Sequence, residues 1–307
     1  MSEYDAFVAD LYEHKNDLKS FLLSEIQNLS LFHKIEGVNI KEQQNIRELL
    51  WLVLIKPDPN LALRYATYVE YCEVSKSVFD SIVMTTNRAF SNDEIFVANV
   101  DEKAIVRVLS AASHFFAEEG LQEFHFNQGM AGLAGMLLFL MPESQAFACF
   151  TTIYKRVPTY SLRNQAAIHA GTELVARIVQ RFDATLYEKF KRDQVVWLFS
   201  FRLLMSFFNH TPPFMNSLPV LDFLFAVGEE YMPIVAAAQF VVAASSAKQH
   251  FDLMGVVSTP LTASSVIPIA SNILQLVKED EELHTLVLEH CTEMKTVSKL
   301  KPSFIML

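Results

Sequence analysis

Residues 101–120 read DEKAIVRVLSAASHFFAEEG. Asp101 can cap a helix, because an aspartate ahead of the first turn accepts a backbone N–H that has no partner inside the helix. Ile105, Leu109, Ala112 and Phe116 then recur three and four residues apart, on the side to be buried. Gly120 suits the left-handed residue that closes such a helix. The whole stretch is therefore expected to be one helix, and the same pattern recurs outward in both directions.

Toward the N-terminus, Phe7, Leu11, Leu18, Phe21, Leu22, Ile26 and Leu29 form a stripe expected on one helix face. A helix through Ile46 to Leu54 is stopped by Pro57 and Pro59, and Leu61 to Cys72 follows as another. Toward the C-terminus, Pro142 suits the first turn of a helix through Tyr154 that Pro158 closes. Helices are expected over 166–182, 195–209, 220–228, 233–247, 263–277 and 279–294, ahead of a short basic tail. No alternation is long enough for a sheet, and no short-period repeat or Gly/Ser linker divides the chain. The expectation is an all-α protein built as one continuous helical array.

Composition agrees. Half of the 307 residues are hydrophobic and 25 are Phe, enough for a large core. Only 8 glycines are present, which argues against many hairpins. The net charge of −10 and the pI near 5.4 argue against a nucleic-acid partner. Cys72, Cys149 and Cys291 are scattered in apolar surroundings, as expected of reduced, buried thiols in a cytosolic or nuclear protein. Met1–Asp5 is acidic and does not open a signal peptide; the apolar run from Met130 to Met141 is too short to cross a bilayer. A soluble protein without an integral membrane segment is expected.

Several chemistries are missing. Gly129, Gly132 and Gly135 lack the Lys-Ser/Thr of a P-loop, and their spacing reads instead as a smooth face for close helix packing. No His-Glu-x-x-His, Cys-x-x-Cys or EF-hand pattern occurs, so neither metal nor cofactor is expected. No paired carboxylates sit in an apolar setting that would tune a general acid. One stretch breaks the helical series: Met84-Thr85-Thr86-Asn87-Arg88-Ala89-Phe90 holds poor helix formers, and Ser91-Asn92-Asp93-Glu94 reads as a capping box. Arg88 is thereby expected on an irregular segment between helices, where function tends to reside.

Two segments stand out together, Ile82 to Phe90 and, about forty residues on, Phe126-Asn127-Gln128-Gly129-Met130. They resemble the signature motifs Ile-x-x-Asp-x-x-Arg-Thr-Phe and Tyr-x-Gln-Gly-Met-Asn of the TBC domain, the GTPase-activating module for Rab-like GTPases. Asn45–Trp51, Glu143–Phe150, Leu198–Leu204 and Val220–Ala226 resemble four further blocks of that family in order and spacing. Thr211-Pro212-Pro213, the block from Val220 to Gly228 and Arg107-Val108-Leu109 resemble the compact branch of the spindle-position checkpoint and septation pathway.

The resemblance implies a helical array with a V-shaped GTPase-binding groove. Residues 37–250 would form the TBC domain, 1–36 a helical extension, and 251–307 the helices that complete it and a short tail. It implies an arginine finger at Arg88 and a glutamine finger at Gln128, acting in trans on a Rab-like small GTPase that itself carries GTP and Mg²⁺. It further implies a scaffold subunit, and a cytoplasmic protein acting at the spindle pole body or centrosome. Trp51, Trp197 and Arg202 are read as structural, with Arg202 paired inside the core; Arg47 is read likewise, with some prospect of touching the GTPase. Four positions depart from the family pattern: Thr85 stands for Asp, Ala89 for Thr, Ala131 for Asn and Leu221 for Trp. These departures thin the support of both fingers and keep a second reading open, a catalytically weak TBC scaffold that binds a GTPase and a partner.

Overall fold

The computed structural model describes residues 2–87, 89, 93–120, 124–162, 164–191, 194–209, 213–247 and 262–300, and among them there is no strand. The chain runs α1 (Glu3–Glu13), α2 (Leu18–Gln27), α3 (Ser30–Glu36), α4 (Ile40–Ile55), α5 (Pro59–Glu70), α6 (Lys76–Thr86), α7 (Glu94–Asn99), α8 (Glu102–Glu118) and α9 (Gln128–Leu140). It continues with α10 (Glu143–Arg156), α11 (Ala166–Phe182), α12 (Ala184–Lys191), α13 (Val195–Met205), α14 (Ser217–Val227) and α15 (Met232–Ser246). The last described helices are α16 (Ala263–Glu279), α17 (Glu281–Glu289) and α18 (Met294–Lys299).

The stretch 101–120 forms α8 as its pattern requires. Asp101 accepts from the Lys103 N–H at 3.0 Å, Gly120 closes the helix at φ +76°, and Ile105, Leu109, Ala112 and Phe116 are all buried.

The N-terminal stripe is a correction. It is not one helix face but two helices and a turn, broken over residues 14–17, with Leu29 in the left-handed region ahead of α3. His14-Lys15-Asn16-Asp17 carries no apolar residue, and Asn and Asp favour local turns over helix interiors. The break lets the two halves of the stripe reach different partners: α1 packs on α4, whereas α2 packs on α14. At the other end, the helix expected over 279–294 stops at Glu289 and α18 begins afresh at Met294. The helix expected over 195–209 ends at Met205.

Helices α5, α8, α9 and α10 pack against one another in the first half, and α11, α13 and α15 in the second. Helix α4 joins the halves, touching α9, α10 and α14. At its centre the Arg47 guanidinium donates through Nε to Asp222 Oδ2 at 3.0 Å, and Trp51 Nε1 donates to Asp222 Oδ1 at 2.6 Å. Arg47, Trp51 and Asp222 are 2%, 0% and 4% exposed. Burial pushes the Asp222 carboxyl up, and Arg47 with Trp51 works in the opposite direction by stabilising the ionised form. A charge at this depth survives only because both carboxylate oxygens are paired.

Candidate functional site

Helix α9 is almost wholly apolar and buried from Met130 to Leu140, apart from a partly buried Leu138. Its glycines are what let it lie there. A Cβ on Gly129 would run into the backbone of Met205 and Ser206, one on Gly132 into the Asn209 amide, and one on Gly135 would come within 2.7 Å of the Phe96 ring. The packing role read from the glycine spacing holds, and it brings the start of α9 against the C-terminal end of α13.

The approach to α9 is fixed by hydrogen bonds. His125 donates its N–H to Ser161 O at 2.7 Å, and Phe126 is buried. Asn127 is the N-cap: its Oδ1 accepts from the Gly129 N–H at 3.0 Å and its Nδ2 donates to Tyr160 O at 3.2 Å. From the other side Asn209 Nδ2 donates to Gly129 O at 3.1 Å. Asn209 is placed by Phe207 and Phe208, consecutive buried residues at φ +50° and +62°. Left-handed backbone without glycine costs on the order of 1–3 kcal/mol per residue, and here buried packing and the Ser217 Oγ donation to Phe208 O at 2.9 Å offset it. Gln128 is the first residue of α9, next in sequence to the Gly129 that both amides hold, and its side chain lies outside what the structure describes.

The 3-10 turn Pro158–Ser161 that receives Asn127 and His125 is itself tied to the C-terminal helices. Thr159 Oγ1 donates to His290 O at 3.1 Å, and the Tyr160 hydroxyl meets His290 Nε2 at 2.9 Å. His290 Nδ1 lies 2.6 Å from Val287 O and must donate there, so Nε2 is the acceptor from Tyr160 in the neutral ring. Burial lowers the His290 pKa to about 4.

Arg88 lies outside the described residues, as do Phe90, Ser91 and Asn92. The helix before its segment packs on α9, and the helix after it reaches α9 through Phe96. Before it, α6 packs on α8 and α9, with Ile82 and Thr86 buried. After it, Asp93 caps α7 through the Phe96 N–H at 3.1 Å and accepts from the Phe214 N–H at 3.2 Å, while Phe96 lies against Gly135. The irregular stretch is shorter than its composition suggests, since Met84, Thr85 and Thr86 belong to α6 and the chain turns only at Asn87. The observed cap of α7 is Asp93, not Ser91.

Known proteins now bear on this arrangement. Residues 44–246 match the family model of the Rab-GTPase-TBC domain. The chain belongs to this TBC family. It is 25% identical over 250 residues to the putative mitotic check point protein BUB2 of Dictyostelium discoideum, covering 80% of this chain and 66% of that protein. It is also 25% identical over 277 residues to cell division control protein 16 of Schizosaccharomyces pombe, covering 89% of each. The crystal structure of the Ypt/Rab-GAP domain of Gyp1p superposes with a TM-score of 0.64 at 13% identity, covering 90% of this chain and 99% of that one, so the fold is the all-helical TBC fold.

Several polar residues in the matched region serve the fold. Arg47 is in the core with Asp222, which removes any contact with a GTPase. Glu143 accepts from Arg107 Nε at 2.9 Å and from the Tyr65 hydroxyl at 2.6 Å, and the Arg107 hydrogen bond holds its carboxyl below the usual range. Glu229, nearly fully buried, accepts from Arg156 at 3.0 Å, and Arg156 also donates to Ile55 O. Asp222 and Glu229 are carboxylates in apolar settings that sequence reading did not find, and each is neutralised by an arginine. Trp197 is structural as expected, donating to Glu173 at 3.1 Å, whereas Arg202 is half-buried and not inside the core. Cys149 and Cys291 are buried thiols, each raised to about 12 by burial, while Cys72 is only partly buried.

Among the described residues no group of His, Cys, Asp or Glu could hold a metal ion, and no helix is long and apolar enough to cross a membrane. Asn127 and Asn209 were missed as site residues by the sequence reading. The N-cap pattern ahead of an apolar helix could have found Asn127; nothing local to Asn209 points to Gly129, 80 residues away.

Proposed function

We propose that this protein accelerates GTP hydrolysis by a Rab-like small GTPase, with Arg88 as arginine finger and Gln128 as glutamine finger. The observation that carries this is the shared platform. Helix α6, just before the segment bearing Arg88, packs on α9, Phe96 of α7 just after it lies against Gly135 of α9, and Gln128 is the first residue of that same helix. A guanidinium supplies charge to the developing γ-phosphate oxygens, and a glutamine amide can accept from the attacking water and donate to a carbonyl. GTP and Mg²⁺ belong to the partner, so this chain needs no cofactor of its own. Residues 37–250 are the proposed domain, enclosing the family match at 44–246.

The relatives named for mitotic check point and cell division control support a role in cell-cycle control, in mitotic exit or septation. A scaffold subunit is proposed to assist, in the cytoplasm or at the spindle pole, because the support around the fingers is reduced. Thr85, where the family has Asp, donates its hydroxyl to Ser81 O of its own helix at 2.7 Å, and Ala131, where the family has Asn, is fully buried and apolar. The same two residues favour the second reading, a TBC scaffold that binds GTPase and partner without catalysis.

Single-turnover GTP hydrolysis by a panel of Rab-like GTPases separates the readings, using wild type, Arg88→Ala and Gln128→Ala with and without a scaffold subunit. The activator requires acceleration that both substitutions remove. Binding to GTP-loaded GTPase without acceleration under any condition leaves the scaffold.

A further inference from the structure

We infer that Asn209 and Asn127 are positioning residues for Gln128, clamping the first turn of α9 from its two sides; this rests on the glutamine-finger reading. Asn127 takes the Gly129 N–H, and Asn209 donates to the Gly129 carbonyl, so both polar groups of the residue following Gln128 are gripped by a side-chain amide. A helix start ordinarily leaves its first N–H groups to a cap and its early carbonyls to the helix itself. The added donor at Gly129 O comes from 80 residues away and is delivered by two successive left-handed phenylalanines. Unfavourable backbone persists where its surroundings over-determine it, and such outliers cluster at functional sites. Here the outlier's product is one amide seated against Gly132, whose missing Cβ makes the room. The second grip on Asn127 runs from its Nδ2 to Tyr160 O and so connects the clamp to the turn held by His290.

A finger must hold its geometry to within an ångström or so to contribute its full effect. The clamp therefore acts on the rate of hydrolysis within the complex and not on docking. Asn209→Asp keeps the volume and sets a carboxylate oxygen against Gly129 O in place of the donor. We expect it to lower kcat for activated hydrolysis by about 10- to 100-fold, with KM for the GTP-loaded GTPase and the thermal midpoint little changed. Asn127→Asp retains the cap but sets a carboxylate oxygen against Tyr160 O, so it tests the second grip in the same way.

The decisive arm is the Gln128→Ala background, where Asn209→Asp is expected to have no further effect. Amide hydrogen exchange at Gly129 and Met130 should quicken in Asn209→Asp whether or not Gln128 is present. Wild-type kcat in Asn209→Asp alongside a crippled Gln128→Ala overturns the clamp alone. A loss in Asn209→Asp that multiplies with that of Gln128→Ala overturns it too. Full acceleration by Gln128→Ala, or none by wild type, removes the finger reading and the clamp with it. If Asn209→Asp does not fold, Asn209→Ala is read in the same way.

Discussion

Two polar clusters in this molecule are built on opposite terms. At the α4–α14 contact a full charge pair, Arg47 with Asp222, is sealed in the core with Trp51 donating to the second carboxylate oxygen. At the start of α9 the bonds are made by neutral amides, Asn127 and Asn209, on the backbone beside Gln128. The first cluster gains nothing from solvent and would be costly to leave half-made. The second holds backbone in place without a buried charge. Both clusters adjoin family motifs, so a motif residue is not by that fact a catalytic one. The arginine most deeply fixed, Arg47, has no route to a nucleotide.

The sharpest break of this comparison is Arg88→Ala. It should reduce activated hydrolysis by about 10³- to 10⁵-fold, or roughly 4–7 kcal/mol of barrier, while urea unfolding stays that of wild type. Asp222→Ala should do the reverse to stability. It leaves Arg47 buried and unpaired, at a cost of about 3–5 kcal/mol in chemical denaturation, and any lost activity should track the lost fold.

The pH dependence of unfolding sharpens the second region. His290 is neutral in the fold with a pKa of about 4, whereas an unfolded histidine titrates near 6.5. The unfolded chain therefore takes up the proton first, so stability is complete above about pH 6.5 and falls as pH drops from there toward 4, by on the order of 3 kcal/mol. Denaturation curves across that window should flatten in His290→Gln relative to wild type. The smallest effect belongs to Asn127→Ala, which removes an N-cap and should cost about 1 kcal/mol, with faster amide exchange confined to the first turn of α9. A loss of global stability as large as that of Asp222→Ala would erase the distinction between the two clusters.

Much of this was legible in the chain. The 101–120 pattern, the Ala166–Phe182 helix and the packing role of Gly129, Gly132 and Gly135 follow from local rules of spacing and capping, and each is found where those rules put it. The errors share a cause. The Phe7–Leu29 stripe has helical spacing throughout, yet its halves face different helices, so continuity of period did not mean continuity of helix. Arg47 looked like other helix-borne arginines until Asp222, 175 residues away, claimed it.

The sequence by itself determined the helical class, the family and the two candidate fingers, because periodicity, caps and motif spacing are written within a few residues of one another. Only the tertiary structure decided which polar residues are sealed in the core and which grip the start of α9. Those outcomes depend on long-range pairings such as Arg47 with Asp222 and Asn209 with Gly129. The burial that makes such a pair necessary exists only once the helices have packed.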